Sequence, residues 1–205
     1  MAPAPSSRPR SATHVSMTRK GGRPMSDPIS ATPDARYQGF ATVADTGPRG
    51  MIMVRGEPAT LAKAAKTAGP DMPKARAVTG KGDVSLAWMS PDEILVLCDY
   101  AAAPALADKI EKALGAEHSL VAVVSDARSV FRVEGDKADQ VLRKLTPADM
   151  DALGQGEMRR TRIAQTAGGI WSPAPGVYEV MCFRSVGQYV FDLLANAAKS
   201  GSELA

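Results

Sequence analysis

Two long segments of this chain repeat one pattern after a shift of roughly eighty residues, and this repeat constrains the fold more than any other feature. The first copy begins with a strand at Met51, turns at Gly56 and continues into a helix with Pro58 at its first position. The second copy has a strand at Val130, a turn at Gly135 and a helix. Each helix carries apolar residues at the i, i+3, i+4, i+7 spacing of one buried face.

Both copies continue with an apolar strand and a second helix. The strands are residues 93–98 (EILVLC) and residues 177–183 (VYEVMCF). Asp136 is expected to cap the first helix of the second copy, and Ser185 with Gln188 is expected to form a capping box at the last helix. The predicted fold is therefore α+β, with two pseudo-symmetric strand-helix-strand-strand-helix units that bury their apolar faces together in one domain.

The composition divides the chain into three regions. Residues 1–36 are rich in Pro, Ser, Ala and Arg and are expected to form a disordered leader. Residues 37–198 are predicted to form the single α+β domain, with repeats at about 51–126 and 127–198. Residues 199–205 are left as a tail.

The basic character of the chain belongs to the leader. The formal net charge is +3, but five basic residues precede the first acid, Asp27. Without them 20 basic residues stand against 22 acidic ones, so the folded part is nearly neutral and no nucleic-acid partner is expected. The leader has neither a secretory apolar core nor a membrane span. It resembles a transit peptide in lacking acids, although its prolines would interrupt an amphipathic helix, and the alternative is that translation starts at Met25.

Two cysteines lie at corresponding places in the two repeats. Cys98 and Cys182 each sit in an apolar strand, where a free cysteine behaves as a small hydrophobic residue. A disulfide would require their Cβ atoms to approach within about 4.5 Å, which the sequence does not establish. Reduced core thiols in a cytoplasmic protein are the favoured interpretation.

The sequence offers no self-contained site for catalysis, a cofactor or a metal. His14 and His118 are the two histidines, and no His/Cys/Asp/Glu cluster has metal-ligand spacing. No nucleophile elbow, phosphate-binding loop or dinucleotide fingerprint is found. Asp92 and Glu93 are adjacent on an extended chain and point to opposite faces, so they form a poor acid/base pair.

The candidate functional residues are instead suited to contacts with a partner protein, and they are Trp88, Asp126, Arg128, Arg159, Arg160, Arg162 and Trp171. Asp126 and Arg128 can form a buried charge pair that joins the repeats, or a docking or ligand-holding pair. The basic strand 159–162 can be a solvated sheet edge, or a patch that meets acidic groups on a partner. Each tryptophan can be a core ring or an interface anchor.

Four motifs in one order resemble the gamma subunit of heterotetrameric sarcosine oxidase. They are AWMSPDE (87–93), VSDAR (124–128), RRTRIAQ (159–165) and CFRSVGQYVFDLL (182–194), and the resemblance spans roughly residues 37–198. It implies a ferredoxin-like-derived α+β domain of the folate-binding type found in the aminomethyltransferase of glycine cleavage.

The resemblance also implies a place in a cytoplasmic complex of alpha, beta, gamma and delta subunits. Such a complex oxidises sarcosine to glycine with hydrogen peroxide and passes the one-carbon unit to tetrahydrofolate. The resemblance places FAD, FMN, NAD, zinc and tetrahydrofolate in other subunits. It makes the large alpha subunit the chief partner, with beta and delta subunits in the same complex, and involves neither nucleic acid nor a membrane.

One departure from the related transferases bears on catalysis. Those enzymes follow a Gly-Gly-Ile-like turn with aspartates, one of which engages the folate, whereas here residues 168–170 are followed by Trp171, Ser172 and Pro173. A hydroxyl and an imino acid supply no carboxylate for proton handling, so a non-catalytic subunit that stabilises the complex is expected. The alternative is a stand-alone folate-binding one-carbon transfer module, and a third, weaker reading is an RNA-associated protein.

Overall fold

The strands of this protein form two separate antiparallel sheets. The computed structural model describes residues 29–204. The strands are β1 (Arg36–Gln38), β2 (Thr42–Asp45), β3 (Gly50–Gly56), β4 (Val78–Lys81), β5 (Val84–Ser90), β6 (Glu93–Cys98), β7 (Ser119–Val123), β8 (Arg128–Glu134), β9 (Met158–Ile163), β10 (Thr166–Ala174) and β11 (Val177–Phe183). The helices are α1 (Pro58–Ala68), α2 (Ala103–Leu114), α3 (Ala138–Arg143) and α4 (Gly187–Ala197).

The two sheets have the same strand order. The first sheet runs β4-β5-β6-β3-β7, and the second runs β9-β10-β11-β8-β2 in the equivalent order, with β1 as a sixth strand at its edge. The fifth strand of each sheet comes from the segment that precedes the other sheet, because β7 pairs with β3 and β2 pairs with β8. Divided as β2 to α2 and β7 to α4, the two halves exchange one strand each, and neither sheet is complete without the other half. This division moves β7 out of the predicted first repeat, 51–126.

The predicted α+β duplication is confirmed, but each unit contains more strands than the predicted strand-helix-strand-strand-helix pattern. Two of the further strands are β4 (VTGK), which was not predicted, and β9 (MRRTRI), which was predicted as a basic strand but given no place in the repeat; both lie at the edges of their sheets. Edge strands bury few side chains, so polar residues replace the apolar alternation by which a strand is usually detected. The basic strand 159–162 is such an edge, as one of its two interpretations required.

The core has three parts, which fill the three interfaces between four stacked layers: helices, sheet, sheet and helices. On the outer face of the first sheet, α1 and α2 pack through Leu61 and Ile110, whereas α3 and α4 cover the second sheet through Leu142 and Leu194. The sheets meet face to face through a third cluster rich in methionine: Met51, Ala87, Met89, Leu95, Leu97, Val130, Met158, Trp171 and Met181. This inter-sheet layer carries the structural relation between the repeats, because both halves contribute to it.

The predicted helix starts are correct only in part. α1 begins at a proline, as expected. Asp136 does not cap α3, whose N-cap is Lys137 and has no side-chain hydrogen bond. The capping box at α4 is also wrong, because Ser185 lies in a 3₁₀ turn and the N-cap is Val186.

Residues 29–36, the last part of the predicted leader, pack against β2. Thr32 is 3% exposed, and its hydroxyl donates a hydrogen bond to Asp45 Oδ2 at 2.8 Å. The hydroxyl of Ser30 donates to the same carboxylate. Polar side chains make these contacts, which explains why no apolar run marked them in the sequence. The rest of the leader, including the alternative start at Met25, lies outside the described residues.

Candidate interaction surface

Two clefts open between the sheets at corresponding ends of the two repeats. The large cleft has a volume of about 860 Å³, and its lining includes Arg49, Cys98, Asp99, Trp171, Ser172 and Glu179. The arginine cleft has a volume of about 300 Å³ and is lined by Met89, Arg128, Arg160, Met181, Cys182 and Phe183, among others. The repeat thus generates two related concavities, and the side chains that line them differ in chemistry.

Sheet register establishes which residues of the two clefts are equivalent. Cys98 on β6 pairs with Gly50 on β3, and Cys182 on β11 pairs with Ser129 on β8. Each cleft receives an arginine from the residue immediately before the paired position, which is Arg49 in the large cleft and Arg128 in the arginine cleft.

A buried glutamate organises the electrostatics of the large cleft. Glu179 is 2% exposed and lies opposite Arg132 in the β8–β11 ladder. Arg132 Nη2 donates to Glu179 Oε1 at 2.8 Å, and Arg49 Nη1 donates to Oε2. With one guanidinium on each oxygen, this carboxylate is fully paired and is poorly suited to act as a general base.

The segment after residues 168–170 faces the large cleft with neutral groups, Trp171, Ser172 and Pro173. Ser172 is buried, and its hydroxyl donates to the carbonyl oxygen of Ala174 at 3.0 Å. Asp99 also lines the cleft, but its Oδ1 accepts the backbone N–H groups of Ala101 and Ala102 at the start of α2. The buried carboxylate of this cleft, Glu179, is thus already paired, and Asp99 is bonded to backbone.

The two tryptophans have different environments. Trp171 is 4% exposed and belongs to the inter-sheet core, so its interpretation as a partner anchor is wrong. Trp88 is partly buried and lines a cleft of about 250 Å³ with Arg76, Met158 and Arg159, among others. The register explains the difference. Trp171 pairs with Glu179 on β11, whereas Trp88 pairs with Ile94 on β6, which is one residue away from the position equivalent to Glu179. A shift of one residue moves a side chain to the other face of a sheet.

The predicted charge pair between Asp126 and Arg128 does not form. Asp126 Oδ1 accepts a hydrogen bond from the Tyr100 hydroxyl at 2.9 Å, and this bond raises the pKa of Tyr100. Arg128 turns the other way, with its guanidinium carbon 5.6 Å from the ring centroid of Phe183. The two residues lie at the junction of a 3₁₀ turn and β8, and this change of backbone conformation separates their side chains.

Arg128 is incompletely satisfied. Its Nη1 lies 3.5 Å from the Met181 sulfur, and its Nε is buried without a hydrogen-bond partner in the described structure. Burial lowers the pKa of Arg128, the negative charge of Glu93 raises it, and the positive charge of Arg160 lowers it further. A poorly solvated guanidinium thus faces the arginine cleft.

The three arginines of β9 differ in their pairing. Arg159 Nη2 donates to Glu157 Oε2 at 2.7 Å, so this arginine is neutralised within the chain. Arg160 is exposed, and its Nη1 donates to the carbonyl oxygen of Met89 at 3.1 Å. Arg162 is exposed on the same edge strand. The basic patch therefore reduces to Arg160, beside Arg128, and the separate Arg162.

Glu179, Arg49 and Phe183 were not predicted from the sequence to belong to a site. Glu179 was detectable, because a lone acid interrupts the otherwise apolar strand VYEVMCF. Arg49 gave no signal, because its partner lies 130 positions later in the chain. Phe183 ends the same apolar strand, so in the sequence it resembles a core residue. In the structure its side chain lies at the surface and is 50% exposed.

The described residues contain neither a metal-binding cluster nor a helix that could span a membrane. Among residues 29–204, no group of three or more His, Cys, Asp or Glu side chains is placed to hold a metal ion. None of the helices α1–α4 is long and apolar enough to cross a membrane.

Comparison with curated proteins finds two sarcosine oxidase gamma subunits. The chain is 40% identical over 111 residues to sarcosine oxidase subunit gamma of Corynebacterium sp. (strain U-96), which covers 53% of this chain and 52% of that protein. It is 34% identical over 115 residues to the subunit gamma of Arthrobacter sp., which covers 55% of each. The chain therefore spans about half the length of the curated relatives that it matches.

Solved structures extend the likeness over most of the chain. A chain of the heterotetrameric sarcosine oxidase from Corynebacterium sp. U-96, solved in complex with pyrrole 2-carboxylate, matches with a TM-score of 0.75 and 27% identity. This match covers 83% of the present chain and 91% of that chain. The glycine cleavage system aminomethyltransferase T from Bartonella henselae matches with a TM-score of 0.58 and 15% identity. This match covers 80% of the present chain and 47% of that chain, and it confirms the expected fold relation. A sequence model described as the sarcosine oxidase gamma subunit family matches residues 54–200. The chain belongs to the sarcosine oxidase gamma subunit family.

Proposed function

We propose that this chain is the non-catalytic gamma subunit of a heterotetrameric sarcosine oxidase and stabilises the complex by binding its large alpha subunit. The observation that carries the proposal is the structural likeness to a chain of the Corynebacterium oxidase, since it covers 91% of that chain. A likeness over almost a whole subunit supports the same place in an assembly better than a shared local motif would.

The large cleft supports a role without catalysis. Its buried carboxylate, Glu179, is paired on both oxygens, and Ser172 is hydrogen-bonded to backbone. Neither group is available to move a proton to or from a substrate. In this proposal the oxidation of sarcosine to glycine and hydrogen peroxide, and the transfer of the one-carbon unit to tetrahydrofolate, take place in the other subunits of a cytoplasmic complex. FAD, FMN, NAD, zinc and tetrahydrofolate are held there as well.

Co-expression of the four subunits of the same organism, with and without this chain, tests the proposal. We expect that the oxidase made without it assembles incompletely, or unfolds at a lower temperature, as follows when a partner that binds the folded state is removed. The control is a complex rebuilt by adding the purified chain, which should recover the thermal stability. Full assembly, unchanged activity and unchanged thermal stability without the chain would contradict the proposal.

A second function has a specific observation in its favour. The large cleft of about 860 Å³ lies in a fold shared with an aminomethyltransferase, so a stand-alone folate-binding one-carbon transfer module is the alternative. Titration of the isolated chain with tetrahydrofolate separates the two functions. A Kd of about 1 µM or below would favour the alternative, whereas no heat of binding at millimolar ligand favours the structural role.

A further inference from the structure

The pseudo-symmetry relates two positions that differ in chemistry. One holds a carboxylate beside the arginine of the large cleft, and the equivalent position of the other repeat holds an apolar side chain. In the β8–β11 ladder, Arg132 pairs with Glu179, which neutralises Arg49. In the β3–β6 ladder, the equivalent pair is Met53 and Leu95. Leu95 is 1% exposed in the inter-sheet core. Arg128, the counterpart of Arg49, therefore has no counterpart of Glu179.

No carboxylate between residues 29 and 204 replaces this missing partner of Arg128. No ion pair within 4 Å involves either Arg128 or Arg160 in that part of the chain. Glu93 lies close enough to influence Arg128 electrostatically, but its carboxylate is 3.9 Å from Arg55 Nε. Two like charges thus line one small cleft, and Nε of Arg128 is buried there without an acceptor.

This arrangement is unfavourable in the isolated chain and favourable for a complementary group. A desolvated guanidinium gains from a carboxylate more than an exposed one does, because less water competes for its N–H groups. Arg160 is exposed at the edge of the cleft, and Phe183, 50% exposed, supplies an apolar rim. Arginine and aromatic side chains grouped around one pocket are the residue types that anchor protein interfaces.

We propose that the arginine cleft binds the carboxylate of a single Asp or Glu side chain of a partner protein, held between Arg128 and Arg160. The partner is the alpha subunit, and in this respect the inference rests on the function proposed above. The carboxylate oxygens accept a hydrogen bond from Nε of Arg128, and the negative charge offsets the repulsion between the two guanidinium groups. Apolar atoms beside the acid pack on Phe183.

The test measures binding of the chain to purified alpha subunit of the same organism at several salt concentrations. We expect the wild-type chain to bind, and R160E and R128M each to weaken binding by at least about tenfold, because R160E reverses one of the two charges that hold the carboxylate and R128M removes the other. The wild-type Kd should also rise with salt more steeply than that of R160E.

Two controls distinguish docking from a structural effect. R162E makes the same charge change two positions away on the same strand, outside the arginine cleft, and should leave binding within about twofold, as surface charges do. R128M should leave the melting temperature of the isolated chain unchanged or raise it, because it removes a buried charge that has no counterion.

The outcomes are separable. If the wild-type chain does not bind the alpha subunit, the proposed function fails before the cleft is tested. If the wild type binds while R128M and R160E bind within about twofold of it, the arginine cleft does not dock a carboxylate and the inference fails alone. If millimolar sodium phosphate, compared with sodium chloride of equal ionic strength, stabilises the isolated wild type but not R128M, the cleft is a site for a free anion and the inference is overturned.

Discussion

Arg76 and Gly156 occupy equivalent positions in the two repeats, and each accepts a backbone hydrogen bond from the other half. Val78 donates its N–H to the carbonyl oxygen of Gly156, and Met158 donates to that of Arg76, both at 2.7 Å. Ala77 and Glu157 form the bridge between these bonds. The backbone φ is +65° at Arg76 and +74° at Gly156, so both copies enter their edge strand through a left-handed residue. This reciprocal pair links β4 to β9 and joins the two sheets at their edges.

We expect Gly156→Ala to destabilise the protein by about 1 kcal/mol, since a Cβ in the left-handed region costs about that much. The nearest heavy atom to an added Cβ is the Val78 carbonyl oxygen at 3.8 Å, so steric overlap would not contribute. Urea unfolding measures the change, and the matched control is Arg76→Gly, which relieves the same conformation in the other half. The control should be neutral or stabilising by up to about 1 kcal/mol, and a loss as large as that of Gly156→Ala would contradict the backbone argument.

The pairing of Glu179 predicts a cost for removing Arg49. Arg49→Met leaves one oxygen of a carboxylate that is 2% exposed without its guanidinium. We expect a loss of about 2 kcal/mol in the free energy of unfolding, below the full range for a broken buried pair because Arg132 remains on the other oxygen. Chemical denaturation measures it.

Two comparisons check that the effect comes from the stranded carboxylate. The double variant R49M/E179Q should recover part of the loss. Arg55→Met, which removes an exposed arginine from Asp92, should cost less than Arg49→Met, since water replaces the lost partner. Equal losses at the two arginines would show that the burial of Glu179 does not matter.

Apolar periodicity accounted for the parts of the fold that bury side chains. β3, β6 and β11 are apolar strands, and each lies within one or two residues of its predicted position. β4 and β9 are polar edges, so no such periodicity marked β4, and the place of β9 in the repeat was missed. The strand exchange could not be predicted from local sequence patterns either, because the place of β2 beside β8 depends on the packing of distant segments.

The candidate surface was predicted by residue type and not by geometry. Arginine on β9 was correctly singled out as exposed at Arg160 and Arg162, but the sequence could not show that Arg159 is paired with its neighbour Glu157. Trp171 was misjudged because polar neighbours on its hairpin suggested exposure, whereas the sheet register turns its ring into the inter-sheet core. Which face a side chain occupies depends on register, and composition does not specify register.

The turn between β5 and β6 gives a pH prediction. The Ser90 hydroxyl and then the Arg55 guanidinium hold the pKa of Asp92 at about 2, below its ordinary 3.8. A lowered pKa in the folded state means that the ionised carboxylate contributes stability above pH 3.8, and that this contribution is lost as the pH falls toward 2. An NMR titration should give a midpoint near 2 in the wild type and a higher one in Ser90→Ala. A wild-type midpoint near 3.8 would contradict these contacts.

The two cysteines are free in the structure, as expected, and they should react slowly with thiol reagents. Burial raises the pKa of Cys182 to about 12, with a smaller contribution from Asp45, and burial also raises the pKa of Cys98. The thiolate is the reactive form, so at pH 8 we expect slow alkylation of the native chain, with Cys182 slower than Cys98. In guanidinium chloride both should react at once. Rapid modification of Cys182 in the native state would mean that β11 opens far more readily than its pairing with β8 and β10 implies.

The central claim is that this chain acts by binding the alpha subunit and has no chemistry of its own. Isothermal titration of the purified chain into purified alpha subunit of the same organism tests it most directly. We expect one chain per alpha subunit with a Kd of about 1 µM or tighter, as a stable interface of standard size gives. No binding to the alpha subunit, together with one-carbon transfer to tetrahydrofolate by the isolated chain, would contradict the claim.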